Sequence, residues 1–214
     1  MIILNNGRIK QGEFAAVLGP SGAGKTTFLV SLAGKCTLPS EGTVMVNDTN
    51  VRDLHAVEMV PQFEVFFDGL SVIEHLVFML LSNPQILISD EPTSGLDSYN
   101  ASLVISALKK LSKSGKIVIC SIHQPSCDIF REFNSLMLIA EGKMVFHGSL
   151  DECKAVFESI NLHCPLNYNP AEFYIRAVSN QSEGYVEKIM ESYHDRSLEY
   201  DGTSLDTSLG HIQL

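Results

Sequence analysis

The sequence predicts an α/β fold built on a mainly parallel sheet, and three observations carry that reading. An apolar run at residues 14–18 leads into a glycine-rich turn and then into residues 26–33, where Phe28, Leu29 and Leu32 share one helical face. A second apolar run, residues 86–88, ends in Asp90-Glu91 and has the continuous hydrophobicity of a strand buried on both faces of a parallel sheet. Residues 101–111 then read as a helix, stopped by Ser114-Gly115 and followed by a further apolar run at 117–120. Strand and helix alternate, as they do where helices cover a parallel sheet.

The remaining elements follow in chain order. Residues 42–46 alternate toward a short strand closed by the turn formers Asn47 and Asp48, and residues 56–60 form another strand, ended by Pro61. Ser71 and Glu74 stand at capping-box spacing, and Val72, Leu76, Met79 and Leu80 continue as a helical stripe to about residue 81. Residues 136–140 and 143–147 flank Glu141-Gly142 and predict a hairpin on the sheet edge. Residues 150–160 and 171–178 read as helices. From residue 197 the tail is polar, contains Gly202 and Gly210, lacks a sustained pattern and is expected to be poorly ordered.

Composition narrows the classes of function. The 214 residues are 45% hydrophobic and 19% charged, within the globular range, and suffice for one domain with appendages. A net charge of -10 argues against general nucleic-acid binding, which needs a basic patch. The apolar stretch at residues 76–81 is soon interrupted by Ser82-Asn83-Pro84, far short of the roughly 18 residues of a spanning helix. Residues 1–8 have no signal-peptide pattern, so the chain is expected to stay in the cytosol. Five cysteines form no CxxC pair and read as reduced structural thiols.

The strongest chemical signal is Gly19-Pro20-Ser21-Gly22-Ala23-Gly24-Lys25-Thr26, which fits GxxxxGK[ST] after a strand and before a helix. Its glycines allow backbone N–H groups to turn toward phosphate oxygens, and the helix N-terminus adds partial positive charge. Lys25 is placed to reach the β- and γ-phosphates, and the Thr26 hydroxyl to ligate magnesium. Asp90 suits a magnesium ion held by phosphates, because that hard cation takes one or two carboxylates and keeps several waters. Glu91 beside it can orient or deprotonate an attacking water. His123 follows the run at 117–120, at a strand's carboxyl end, where open α/β sheets place ligand-binding residues.

Together these residues resemble the ABC transporter ATPase family over about residues 2–178. Glu91-Pro92-Thr93-Ser94-Gly95-Leu96-Asp97-Ser98 resembles the end of Walker B followed by the D-loop, Ser121-Ile122-His123-Gln124-Pro125-Ser126 the H-loop, and Val60-Pro61-Gln62 the Q-loop. The resemblance implies that ATP and Mg2+ are the cofactors, bound by residues 19–27 with Thr27 included. It implies that Gln62 senses magnesium and the attacking water, that His123 contacts the γ-phosphate, and that Asp97 acts across a dimer interface. Residues 20–27, Ser94-Gly95-Leu96-Asp97-Ser98 and Cys164-Pro165-Leu166-Asn167-Tyr168-Asn169-Pro170-Ala171 are similar to the G subfamily, the white/scarlet-type half-transporters of pigments, sterols and lipophilic compounds.

The implied fold is a P-loop NTPase (RecA-like) core from which the helical subdomain is largely absent. Residues 63–89 are all that separate Gln62 from Asp90, and no Ser-Gly-Gly occurs anywhere, so the family's LSGGE signature is missing. Strands before residue 2, an aromatic A-loop residue and a membrane domain after residue 214 are expected to be lacking as well. The expected division is an incomplete nucleotide-binding domain at residues 1–180, with a C-terminal helix and tail at 181–214. ABC domains work head to tail, each P-loop facing the partner's signature. The implied partner is therefore a complete half-transporter or membrane-domain chain, in a homo- or heterodimer, on the cytosolic face of a membrane. Two functions stand open: an ATPase subunit of an exporter, and a nucleotide-binding but hydrolysis-deficient shortened isoform or fragment. A P-loop kinase or GTPase explains the P-loop but not Gln62, the D-loop-like segment and His123 together.

Overall fold

A computed structural model describes residues 8–37, 44–46, 49–53, 57–61, 83–180, 184–200 and 211–213. The helix expected over residues 71–81, Gln62 and residues 42–43 lie outside the described residues.

Six strands make the main sheet: β2 (Phe14–Leu18), β5 (Val57–Val60), β6 (Ile86–Asp90), β7 (Ile117–Ser121), β8 (Ser135–Ala140) and β9 (Lys143–Gly148). Their order is β5-β6-β7-β2-β8-β9, parallel throughout except for the antiparallel β8–β9 pair at the edge. Every residue of β2, β6, β7 and β8 is buried, which is why these strands read as continuous apolar runs rather than alternating ones.

Alternation reappears in what each side chain meets. Ala15, Val17, Ile86, Ile88, Ile117, Ile119, Met137 and Ile139 face one core, shared with Phe28, Leu29 and Leu32 of helix α1 (Lys25–Leu32). Phe14, Ala16, Leu18, Leu87, Val118, Cys120, Leu136 and Leu138 face the other. That second core is closed by α2 (Ser98–Lys113), α3 (Cys127–Phe130), α4 (Leu150–Ser159), α5 (Pro170–Ser179) and α6 (Tyr185–Tyr200). The result is a parallel sheet between helical layers, as predicted.

Helix boundaries follow from capping. Helix α2 begins three residues earlier than its apolar periodicity, because Asp97 caps it by accepting from the Asn100 N–H at 2.8 Å while Ser98, Tyr99 and Asn100 stay exposed. Helix α4 opens on a capping box, Ser149 Oγ accepting from Glu152 N at 3.2 Å and Glu152 Oε2 accepting from Ser149 N at 2.6 Å. Helix α5 has Asn169 at its N-cap and Pro170 in its first turn; the Asn169 amide also donates to Pro125 O at 2.7 Å, tying this helix to the segment after His123.

Of the tail expected from residue 197, residues 201–210 lie outside the described residues. Helix α6 runs on to Tyr200, and β10 (His211–Gln213) pairs antiparallel with β1 (Arg8–Lys10) and with β3 (Met45–Val46), which itself pairs with β4 (Thr49–Asn50). Neither β1 nor β10 was readable. Each is three residues long, and its polar–apolar–polar alternation is too short to be told from loop sequence.

One core residue carries a testable cost. Ser89 is fully buried in β6, and its hydroxyl has no hydrogen-bond partner among the described residues. An unsatisfied buried hydroxyl costs about 1–3 kcal/mol. Ser89→Ala is therefore expected to raise the thermal midpoint by about 2–4 °C or leave it unchanged. A clear fall on calorimetry would show that the hydroxyl has a partner.

Candidate functional site

The candidate residues gather at the carboxyl edge of the parallel sheet, on the side covered by α1. Val17, Ser121 and Asp90 form one row across β2, β7 and β6, since Val17 pairs with Ser121 and Ser121 with Asp90. The segments leaving these strands are the Gly19–Thr27 loop, Ile122-His123 and Glu91. Two strand spacings separate β2 from β6, roughly 10 Å.

The loop is held from both sides. Gly19 is buried against β8: a Cβ at this position would lie 2.1 Å from Ile139 O and 3.1 Å from Ile139 C. Gly142, in the β8–β9 turn, donates its N–H to Ala23 O at 3.2 Å. That turn has positive φ at both central residues, 54° at Glu141 and 71° at Gly142, as a two-residue hairpin connection requires. Within the loop Ala23 N donates to Pro20 O at 3.2 Å, and Gly24, at φ 100°, precedes the first turn of α1 without any side-chain cap. The N–H groups of that first turn have no intrahelical acceptors and lie at the positive end of the helix dipole.

Lys25 is 8% exposed, yet its ammonium has defined partners, Gly19 O at 3.0 Å and Pro20 O at 3.2 Å. Two of its three donors are thereby used inside the loop. Ser21, Gly22, Thr26 and Thr27 are exposed, Pro20 is half-buried and Ala23 is buried.

Asp90 is 3% exposed at the end of β6. Its Oδ1 accepts from the Ser121 hydroxyl, and Oδ2 makes no hydrogen bond among the described residues. Ser121 Oγ in turn accepts from Glu91 N at 2.9 Å, and Glu91 N also lies 3.2 Å from Ser121 O. Glu91 has φ 47° and turns the chain off the strand there. His123 is exposed, with Gln124 after it at φ 46°. Asp97 sits apart, exposed at the head of α2, where N–H donation from Asn100 to both of its oxygens holds its carboxyl below the usual range.

The structure thus brings residues 19–27, Asp90, Glu91 and His123 to one edge, while Gln62 lies outside the described residues. Sequence reasoning gave no role of their own to two contributors, although Ser121 stood at the head of the H-loop-like segment. Ser121 is concealed as the polar end of an apolar strand, and the support from Ile139 and Gly142 comes from a hairpin more than a hundred residues away. The only signal for the latter was the hairpin's placement at the sheet edge.

The donor set suits a magnesium–nucleotide: turned backbone N–H groups and an ammonium for phosphate oxygens, with the Thr26 hydroxyl and the free Asp90 oxygen as hard ligands. No described helix is long and apolar enough to cross a membrane.

Comparison with known proteins bears on the same region. A family profile described as ABC transporter matches residues 5–75, and one described as ABC-2 type transporter matches residues 123–197. Protein white of Drosophila melanogaster is 33% identical over 236 residues, covering 78% of this chain and 34% of white. ABC transporter G family member 1 of Dictyostelium discoideum is 30% identical, covering 83% of this chain and 30% of that protein. The chain therefore spans about a third of the length of these relatives. The alignment with white is longer than the whole 214-residue chain although it takes in only 78% of it, so white carries residues within the aligned span that this chain lacks. Among solved structures, an ATP binding subunit of an ABC transporter superposes with a TM-score of 0.60 at 18% identity, covering 78% of this chain and 89% of that one, a likeness of fold. With fold, motifs and relatives in agreement, the chain belongs to the ABC transporter family, as an ATP-binding domain of its G subfamily.

Proposed function

We propose that this chain binds MgATP through residues 19–27 and Asp90 and supplies one half of a composite ATPase site in a G-type exporter. The observation that supports it most is the gathering, on three neighbouring parallel strands, of the loop with its buried Lys25 ammonium, the buried Asp90 carboxylate and His123. Lys25, with one donor left over, neutralises phosphate charge. Thr26 and Asp90 hold the cation, and Gln62 reports on it and on the attacking water. Glu91 orients that water or takes its proton, and His123 contacts the γ-phosphate. The nucleotide supplies the scissile phosphoanhydride bond, and the protein contributes positioning and charge. In this reading the chain sits at the cytosolic face of a membrane through its partner, and the exporter's substrates are lipophilic or pigment-like.

A second reading is favoured by the absence of Ser-Gly-Gly from the whole sequence. A homodimer would hold two P-loops and no signature. Alone the chain would then bind nucleotide without turning it over. Paired with a complete half-transporter, it would complete one site with Lys25, Asp90, Glu91 and the other chain's signature, leaving the reverse site incomplete.

Both readings require nucleotide binding. MgATP at a hundredfold excess over its Kd is expected to stabilise the chain by about 2.7 kcal/mol, a rise in thermal midpoint of roughly 5–10 °C. An unchanged midpoint at millimolar MgATP would overturn both.

A further inference from the structure

We infer that Ser121 is a positioning residue for the cation site, setting both the rotamer of Asp90 and the turn at Glu91; this inference rests on the nucleotide reading above. The Ser121 hydroxyl occupies a bridging place no other side chain shares among the described residues. Its single proton goes to Asp90 Oδ1, and its oxygen accepts from Glu91 N at 2.9 Å. The register places the two side chains side by side on adjacent parallel strands, on the face toward α1. Ser121 is fully buried and Asp90 nearly so, which leaves water little part in satisfying either group.

The hydroxyl thereby divides the labour of the Asp90 carboxylate. Oδ1 is fixed by the serine, so Oδ2 is the oxygen presented, in one orientation, to a cation. The same oxygen atom that orients Asp90 also pins the Glu91 amide as the chain enters its left-handed turn at φ 47°. One side chain therefore ties the Asp90 carboxylate to the backbone amide of Glu91, the residue that follows it. A hydrogen bond to a charged group is worth enough that its loss shifts an equilibrium about tenfold. The loss falls on the cation, not on the loop that holds the phosphates, because Ser121 makes no hydrogen bond to residues 19–27 among the described residues.

The test is equilibrium binding of a fluorescent ATP analogue to the full chain, as a function of free Mg2+ and separately in EDTA. Ser121→Ala is expected to raise the half-saturating Mg2+ concentration about tenfold while leaving affinity in EDTA within a factor of two. Ser121→Cys, which keeps the volume and offers only a weak S–H donor, is expected to fall between the two, and it decides the question if Ser121→Ala does not fold. In an Asp90→Asn background the further effect of Ser121→Ala should shrink to less than about threefold, as for partners in one interaction. Unchanged Mg2+ dependence in the serine variants, with binding otherwise normal, would overturn this inference alone. Absence of Mg2+-dependent binding in the unmutated chain would overturn the nucleotide reading and this inference with it.

Discussion

Among the described glycines, Gly19→Ala is expected to be the most damaging change, costing about 3 kcal/mol or more. The reason is geometric rather than conformational. The added Cβ would lie 2.1 Å from Ile139 O, a backbone atom in the interior strand β8, where no rotamer change can relieve the clash. Either β2 and β8 move apart, breaking the pairs Val17↔Met137 and Leu18↔Leu138, or the loop leaves its seat. Against a total stability of about 5–15 kcal/mol for a typical domain, that is a large fraction. Thermal melts should show a fall of at least about 6 °C or loss of soluble protein. Gly22→Ala is the control: its Cβ meets nothing within 4 Å, and only its φ of 75° is unfavourable, at about 1–2 kcal/mol. A Gly19→Ala chain that melts with the unmutated one would show that the loop does not seat on β8.

Lys25→Met is expected to separate binding from folding. The substitution keeps an unbranched stem in a site only 8% exposed and removes the ammonium that bonds to Gly19 O and Pro20 O. Two charge-assisted bonds within the loop are lost, so some loop rigidity goes with them. In the nucleotide reading the larger loss is the cation that would face the phosphates. Hydrogen bonds to charged groups are worth about 1.5–3 kcal/mol each, so ATP affinity should fall about 100-fold, with a thermal midpoint within a few degrees of the unmutated chain. Calorimetric titration with MgATP reads the first and a melt the second. Undiminished affinity would remove Lys25, and with it the loop, from the nucleotide site.

How much of this was legible in the sequence depends on where the information resides. Strands β2, β6 and β7 were readable because burial on both faces demands an unbroken apolar run, and the loop was readable because its glycines stand at the fixed spacing of GxxxxGK[ST] between a strand and a helix. Asp90 and Glu91 could be ordered on the strand end, since Ile86 to Ser89 set the register leading to them. The helix cap at Asp97 lay beyond the periodic stretch and was missed as a boundary, although the residue itself had been singled out for another reason. The bridging place of Ser121 was missed because one hydroxyl among apolar strand residues says nothing about its neighbour across the sheet. The seat of Gly19 against Ile139 and the pairing of β10 with β1 are long-range backbone contacts, which leave no local trace.

The internal shortening carries the main functional consequence. Residues 63–89 leave no room for the signature-bearing lobe, and the alignment with white shows that this relative has internal residues absent here. In the reading proposed above, the loop that would hold the phosphates is therefore separated from the motif that would complete the site. The most direct test is steady-state ATP turnover by the purified chain alone, with Lys25→Met and Glu91→Gln beside it. The expected result is no turnover above that of the two variants, from a chain that binds MgATP. Turnover by the unmutated chain that disappears in both variants would contradict the half-site account and make this shortened domain an ATPase in its own right.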